Sequence, residues 1–425
     1  MTDHSAKTYK VAVFQEIFKQ SLGVSKWFAV APIQSSKDLA FSKCFYIYSL
    51  MAAIFLDIMF VAGTLHHANK YEIFKIPRLL NILISLILIN WEVYKNIDRL
   101  PRWIEYFNGL EKICGVSKGS ISSRKCLIIR FILTIFIALL YLLLIVNLNL
   151  IVCYENNCFE WQVVMEIISH STISVIVNIL TVLNGLLIIL IYFVLVYINT
   201  GLMKLQVDKR EDYLKIRDEF NIDVSDFSYR PFLRKGYHDT QLAKVASEIR
   251  SYASSYLFVV DTIKTIGRCD GLSVLLSLLL VISRLTTYGY VILLTLCCMG
   301  EFDTISLTSW AVFHFCRILL IIEPCHRTHE QMEESMKLIN QLAYFWSEYD
   351  PILNELDLLK RTIELNDVTI SPLNLFTLDR LLVIKVLGCA LTYFIIMYQF
   401  SDSLLAATYT HKKDIFEYTI TVHAK

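Results

Sequence analysis

The chain has 425 residues, of which 55% are hydrophobic and only 19% charged, against the roughly 25% charge of an ordinary water-soluble protein. Lys and Arg total 40 against 39 Asp and Glu, so there is no basic surface of the kind a nucleic-acid binder needs. The scarcity of Gly (13) and Pro (7) excludes collagen-like and low-complexity architectures. What remains is an all-α membrane protein. Seven spans of about 20–22 residues would use roughly 150 positions and leave substantial mass outside the bilayer.

The polar start, Met1–Lys10, does not read as a signal peptide. Val11–Ala31 places Val13, Phe14, Ile17, Phe18 and Leu22 at helical spacing with Lys19 and Lys26 between them. It reads as an amphipathic helix, either on the membrane surface or docked on the rest of the protein. Spans are expected at about Phe41–Leu65, Ile76–Ile97, Cys126–Val152, Ile167–Ile198, Leu272–Met299, Ile305–Ile322 and Leu381–Phe400. Two long gaps separate them. In Thr200–Asp270, a helical stripe combines Leu242, Val245, Ala246 and Ile249, and Phe227–Gly236 reads as a loop around Pro231. In Glu323–Thr377, one helical stretch covers His329–Tyr349. A second run, Leu353, Leu356, Leu359 and Ile363, follows Pro351.

Basic residues concentrate in the N-terminal tail and in the gaps after spans two, four and six. Cys153–Glu166 and Met299–Trp310 contain no Lys or Arg. By the positive-inside rule the N-terminus is cytosolic and, with an odd number of spans, the C-terminus extracellular. A G-protein-coupled receptor has the opposite orientation. The outer loops after spans three and five carry Glu155, Glu160, Glu166, Glu301 and Asp303, an acidic rim that attracts cations or simply a solvated surface.

The 11 cysteines make no disulfide framework in a chain this long. Cys44, Cys126, Cys297, Cys298, Cys316 and Cys389 lie in apolar runs and are expected to be buried free thiols. Cys153 and Cys158 flank a short polar break. They form a local disulfide or remain two thiols near the membrane surface.

Near the end of the last expected span the chain reads Leu391-Thr392-Tyr393-Phe394-Ile395-Ile396-Met397-Tyr398-Gln399-Phe400. Thr-Tyr, five mostly hydrophobic residues and Gln-Phe resembles the signature of insect gustatory receptors, in the span where that family carries it. Gly388 before the motif and Glu323-Pro324-Cys325-His326 also look like family sequence. The resemblance implies a tastant-gated, non-selective cation channel in the plasma membrane. The assembly would be a homo-tetramer, or a hetero-tetramer with related subunits, whose last spans surround one pore. It further implies an organisation of 1–40 as a cytosolic N-terminal segment, 41–199 as spans one to four and 200–270 as a cytosolic helical extension. Spans five and six would take 271–322, cytosolic anchor helices 323–380, the pore-lining helix 381–403 and an extracellular tail 404–425. The partners would be a small-molecule tastant, sugar or bitter compound, with permeating cations and membrane lipid. The runner-up is a seven-span chemoreceptor that signals through cytosolic partners.

Under that reading Thr392 and Gln399, seven residues apart, share a helix face that Ser403 continues, with Ile395 and Ile396 beside it and Phe400 on the neighbouring face. Four copies would alternate apolar and amide rings, a dewetting gate next to a polar contact for ions. The alternative is that Gln399 caps the span and Phe400 packs on lipid.

A charged residue inside a span is a functional candidate. Arg284 would pair with Asp57 or Glu92, or line a ligand cavity. Asn147, His170, Asn178, Tyr288, Trp310 and His314 gather toward the outer halves as candidate pocket residues. Each is equally suited to an interhelical hydrogen bond. His329-Glu330-Gln331-Met332-Glu333 lacks the second histidine of a zinc protease, and no phosphate-binding glycine loop occurs. No enzyme activity, metal or cofactor is expected.

Overall fold

The computed structural model describes residues 19–23, 25–26, 32–33, 41–67, 75–113, 161–220, 239–298, 301–347, 349–366, 369–396 and 399. The helices are α1 (Lys43–His67), α2 (Lys75–Ile113), α3 (Trp161–Phe220), α4 (Asp239–Cys269), α5 (Gly271–Cys298), α6 (Glu301–Phe345) and α7 (Asp350–Leu365). A 3-10 turn at Pro372–Asn374 leads into α8, residues 380–396. Six of the seven expected spans coincide with these helices, and the third, 126–152, lies outside the described residues. Two stretches among the described residues, Val175–Gln206 and Gly271–Gly289, are long and apolar enough to cross a membrane.

One expected helix proves to be the continuation of another, and one span runs on past its expected end. The stretch His329–Tyr349 is not separate: α6 runs unbroken from Glu301 to Phe345 and takes in most of it. Likewise α3 continues past the end of the fourth span to Phe220. No stop signal interrupts either run strongly enough to end it. Pro324 lies inside α6, where it removes the bond to the carbonyl four residues back and crowds that carbonyl, yet the helix continues. That carbonyl belongs to Leu320, and it lies against Gly185 of α3. A Cβ built on Gly185 would lie 3.2 Å from the Leu320 oxygen, so glycine lets the two backbones close together.

The helices α3 and α6 form the spine of the fold. On α3, Leu183, Leu187, Leu190, Ile191, Val194 and Leu195 are all buried in the main core. A polar lock ties them at one end. Asn199 donates to the Gln331 carbonyl (2.8 Å), and Ser335 donates to Asn199 Oδ1 (2.6 Å). At that basal end α4, α7 and the last third of α6 pack into one helical layer. Trp346, at 1% exposure, is stacked edge-on against Tyr349. It shares its core cluster with Leu338, Ile339, Leu342, Ile352 and Leu356.

The buried stripe of α7 is Ile352, Leu356, Leu359 and Ile363, so the inward register starts one residue earlier than Leu353. On α4, Leu242, Val245 and Ala246 pack partly buried against the core and Ile249 is fully buried, in line with the sequence pattern. An ion pair between Arg250 and Glu355 and a 2.6 Å bond from Lys264 to Asn366 join α4 to α7. Of the N-terminal segment, residues 19–23 are helical. Leu22 sits in the main core, which matches the docked alternative. Loop residues 227–236 lie outside the described residues.

The outer side of α1 stays apolar and exposed along Ile47, Met51, Ile54, Phe55, Ile58 and Val61, at the 3–4 spacing of one helix face. Ala53 and Ser49 turn inward. Such a stripe suits lipid better than water. Cys44, Cys316 and Cys389 are free thiols as expected, but they are exposed on the chain's surface rather than buried. The side chains of Cys126, Cys297 and Cys298 lie outside the described residues.

Candidate functional site

Three neighbouring sites stand out. The first lies where α5 and α6 run antiparallel. Tyr288 and His314 stack with ring centroids 5.6 Å apart and planes 15° apart. Pairing Tyr288 with His314 places Arg284, one turn back on α5, beside Arg317, about one turn on along α6. Both arginines are buried, and Arg317 feels the charge of Arg284. Arg317 Nε donates to Thr181 Oγ1 of α3 at 3.0 Å, and the Thr181 hydroxyl donates to the Val177 carbonyl at 2.8 Å. Asn178, three residues before Thr181, is half-buried on α3. The structure thus brings Asn178, Arg284, Tyr288 and His314 into the region where three helices meet. His170 and Trp310 fall in α3 and α6, with side chains outside the described residues. Asn147, Cys153 and Cys158 lie wholly outside them.

The pairing expected between Arg284 and Asp57 or Glu92 does not form. Asp57 accepts from Asn90 at 2.8 Å. Glu92 pairs with Arg99, seven residues along α2 and so on the same face.

The second site is the buried cluster around Arg99. Its guanidinium meets Glu92 and, at 3.3 Å, Asp270 in the joint between α4 and α5. It also donates to Asn96 Oδ1 at 2.7 Å and lies over the Trp103 ring. Trp103 Nε1 donates to the other Asp270 oxygen at 3.1 Å. Burial works against the Arg99 charge, but the two carboxylates outweigh it and raise its pKa. For Asp270, burial dominates over the attraction of Arg99 and lifts the carboxyl from 3.8 to about 6. The folded protein therefore holds this proton more tightly than the unfolded chain. Its share of stability is fully present below about pH 4 and is lost as the pH rises through about 6, a swing of about 3 kcal/mol. The melting midpoint of the solubilised protein is expected to fall between about pH 4 and pH 6. Asp270→Asn should flatten part of that fall; equal slopes in the two proteins would refute the assignment.

The third site is α8. It packs on the bundle through Val386, Ala390 and the partly buried Phe394, with Val386 in a cluster with Val281, Ile318 and Ile322. At about 100° per residue, Gly388, Thr392, Ile395 and Gln399 fall within about 60° of one another on the opposite face. These four are exposed, as is Ile396. The Thr392 hydroxyl donates to the Gly388 carbonyl at 2.9 Å, so its oxygen keeps capacity to accept from the open side. Phe400 and Ser403 lie outside the described residues. At the other end of α8, Arg380 binds Glu323 of α6 through two bonds, 3.0 and 2.7 Å. Arg327 joins at 2.7 Å. Hydrogen bonds from Arg380 and Arg327 hold the Glu323 carboxyl down at about 2. The nearby histidines serve the helix surface, with His326 facing Glu330 and His329 facing Glu333, each at 3.3 Å.

A helical architecture built around a long α3–α6 spine, with its last helix packed through one face, goes with a sequence that matches a family profile. The profile of the 7tm chemosensory receptor family covers residues 19–404. The chain belongs to this family. As a chemosensory receptor it is a membrane protein, in keeping with its composition and the apolar outer face of α1. No significantly similar sequence is found among curated proteins.

Among solved structures, the receptor resembles the insect olfactory receptor OR5 from Machilis hrabei in complex with eugenol. The TM-score is 0.61 at 13% identity, over 92% of this chain and 99% of that one. A second structure of the same olfactory receptor gives 0.59 at 14% identity, over 89% and 96%. At such identity the likeness is one of fold. It extends over almost the whole receptor and agrees with the insect gustatory and odorant receptor resemblance of its last span.

Sequence reasoning missed Arg317 and Thr181 in the first site and Arg99 and Asp270 in the second. The signal for Arg317 was available, because it lies within the sixth expected span, where the rule that singles out Arg284 applies equally. Asp270 sits at the edge of a basic gap and carries no such mark.

Proposed function

We propose that the receptor is a gustatory channel subunit, opened by a small tastant and permeable to cations without strong selectivity, with its N-terminus cytosolic and its C-terminus outside the plasma membrane. The carrying observation is the two-sidedness of α8. One face packs through Val386, Ala390 and Phe394, while Thr392, Ile395, Ile396 and Gln399 point away with no core behind them. In a tetramer, homomeric or built with related subunits, that face lines the axis. Ile395 and Ile396 supply an apolar ring that opens or closes by dewetting, and Gln399 supplies a polar ring beside it. Ser403 would extend the same lining, with Phe400 at its edge.

Ligand binding between α3, α5 and α6, at Tyr288, His314, Arg284 and Asn178, has a short route to the pore. A Cβ on Gly289, next to Tyr288, would lie 3.6 Å from the Phe394 ring of α8. Ile318 and Ile322 of α6 touch Val386, and Glu323 holds Arg380. A ligand that favours a shifted α5–α6 pair therefore acts directly on both ends of the pore helix. Asn147, His170 and Trp310 are further candidates for the pocket wall, and Cys153 and Cys158 for an outer disulfide. The basal layer of α4, α6 and α7 would join the subunits.

Recordings from cells expressing the receptor, challenged with sugars and bitter compounds, test the reading. Gln399→Ala is expected to change conductance or gating by about two- to tenfold with unaltered surface expression. Identical currents from the mutant would remove Gln399 from the pore.

A further inference from the structure

Arg317 is 5% exposed in a helix stretch that the family places within the membrane. Its Nε is satisfied by Thr181, whereas Nη1 and Nη2 have no hydrogen-bond partner among the described residues. A guanidinium does not shed its proton in a protein. A buried charge without a counter-charge is among the costliest arrangements a membrane segment can hold. The neighbouring charge that acts on it makes matters worse, since it is the positive Arg284. Val281 and Ile318, at the foot of the same helix pair, are fully buried and apolar. The described carboxylates in nearby spans are engaged elsewhere: Asp57 accepts from Asn90, and Glu92 and Asp270 hold Arg99.

We propose that the open Nη1–Nη2 edge of Arg317, beside Arg284, binds the carboxylate of an organic acid, so that the receptor's ligand is a small carboxylic acid. This rests on the reading that the ligand sits between α5 and α6. The planar fork of two N–H groups matches the two oxygens of a carboxylate. A hydroxyl can accept from one of them but leaves the charge uncompensated. One turn outward, the stacked pair of Tyr288 and the buried His314 gives the acid's apolar or aromatic body aromatic neighbours. The ligand class is therefore an amphipathic monoacid rather than a neutral sugar.

Matched pairs differing only in the anionic group test this: benzoate against benzamide, and hydrocinnamate against hydrocinnamamide, at neutral pH. The acids are expected to activate the full-length receptor at concentrations about tenfold below the amides. Arg317→Gln should raise the acid's half-activating concentration by about tenfold and so erase its advantage over the amide, and Arg317→Lys should fall between. The melting midpoint of the purified receptor in detergent supplies a readout independent of gating. It should rise with the acid, not with the amide, and the rise should be lost in Arg317→Gln. Stabilisation by acids without current would keep the carboxylate site and overturn the channel reading. Currents evoked equally by acid and amide would keep the channel and overturn the carboxylate site. Equal stabilisation by chloride, or none by any acid, would likewise overturn the assignment.

Discussion

Arg99→Met is expected to lower the receptor's stability by about 3–5 kcal/mol, seen as a sharply reduced melting midpoint and loss of surface expression. The substitution keeps the apolar stem and removes the charge that Glu92 and Asp270 share. Both carboxylates would then face each other in a site where Arg99 and Asp270 are nearly fully buried. One must take up a proton or the site must open, and either is costly. Because Glu92 belongs to α2 and Asp270 to the α4–α5 joint, the damage would spread to the junction between spans two and five. A triple change to Arg99→Met, Glu92→Leu and Asp270→Asn should recover most of the loss, since a buried ion cluster replaced as a unit is often neutral. A melting midpoint unchanged by Arg99→Met alone would show that the cluster does not hold the junction.

Trp346→Ala is expected to cost about 3–5 kcal/mol as well, but in the basal layer. The indole fills the centre of the packing among α4, α6 and α7, with Tyr349 against its edge and Leu342, Ile352 and Leu356 in the same cluster. Removing it leaves a void that flanking helices can close only by sliding along α6. If this layer joins subunits, the same mutant should dissociate on size-exclusion chromatography before it unfolds. Loss of stability with assembly intact would assign the layer to folding within one chain. A melting midpoint within about a degree of the wild type would contradict a core role for Trp346 altogether.

Several parts of this architecture were legible in the sequence because they depend on local spacing. The alternation of α8 is one: residues seven apart share a face whatever surrounds them, so Thr392 and Gln399 were placed together before any packing was known. The inward stripes of α4 and α7 followed from the same periodicity, and the error on α7 was a single position, Ile352 for Leu353. Helix ends were less legible. The expected break before His329 does not occur: α6 runs through Pro324, packed closely on α3 at Gly185.

Partner choice was the least legible. Arg284 had two carboxylates to choose from on spacing and charge, and neither pairs with it. Asp57 and Asn90 are 33 residues apart, Arg99 and Asp270 are 171, and Thr181 and Arg317 are 136.

By itself, then, the sequence determined that this is a multi-span helical membrane protein whose last span resembles that of insect chemosensory receptors, because hydrophobic run length and a short motif are properties of neighbours along the chain. The tertiary structure alone decided which buried charges are neutralised and which are left open. A counter-ion must reach within hydrogen-bonding distance in space, and no spacing along the chain specifies which distant helix will bring it there. That is why Arg99 is enclosed by two carboxylates while Arg317, an equally charged buried side chain, keeps an open edge among the described residues.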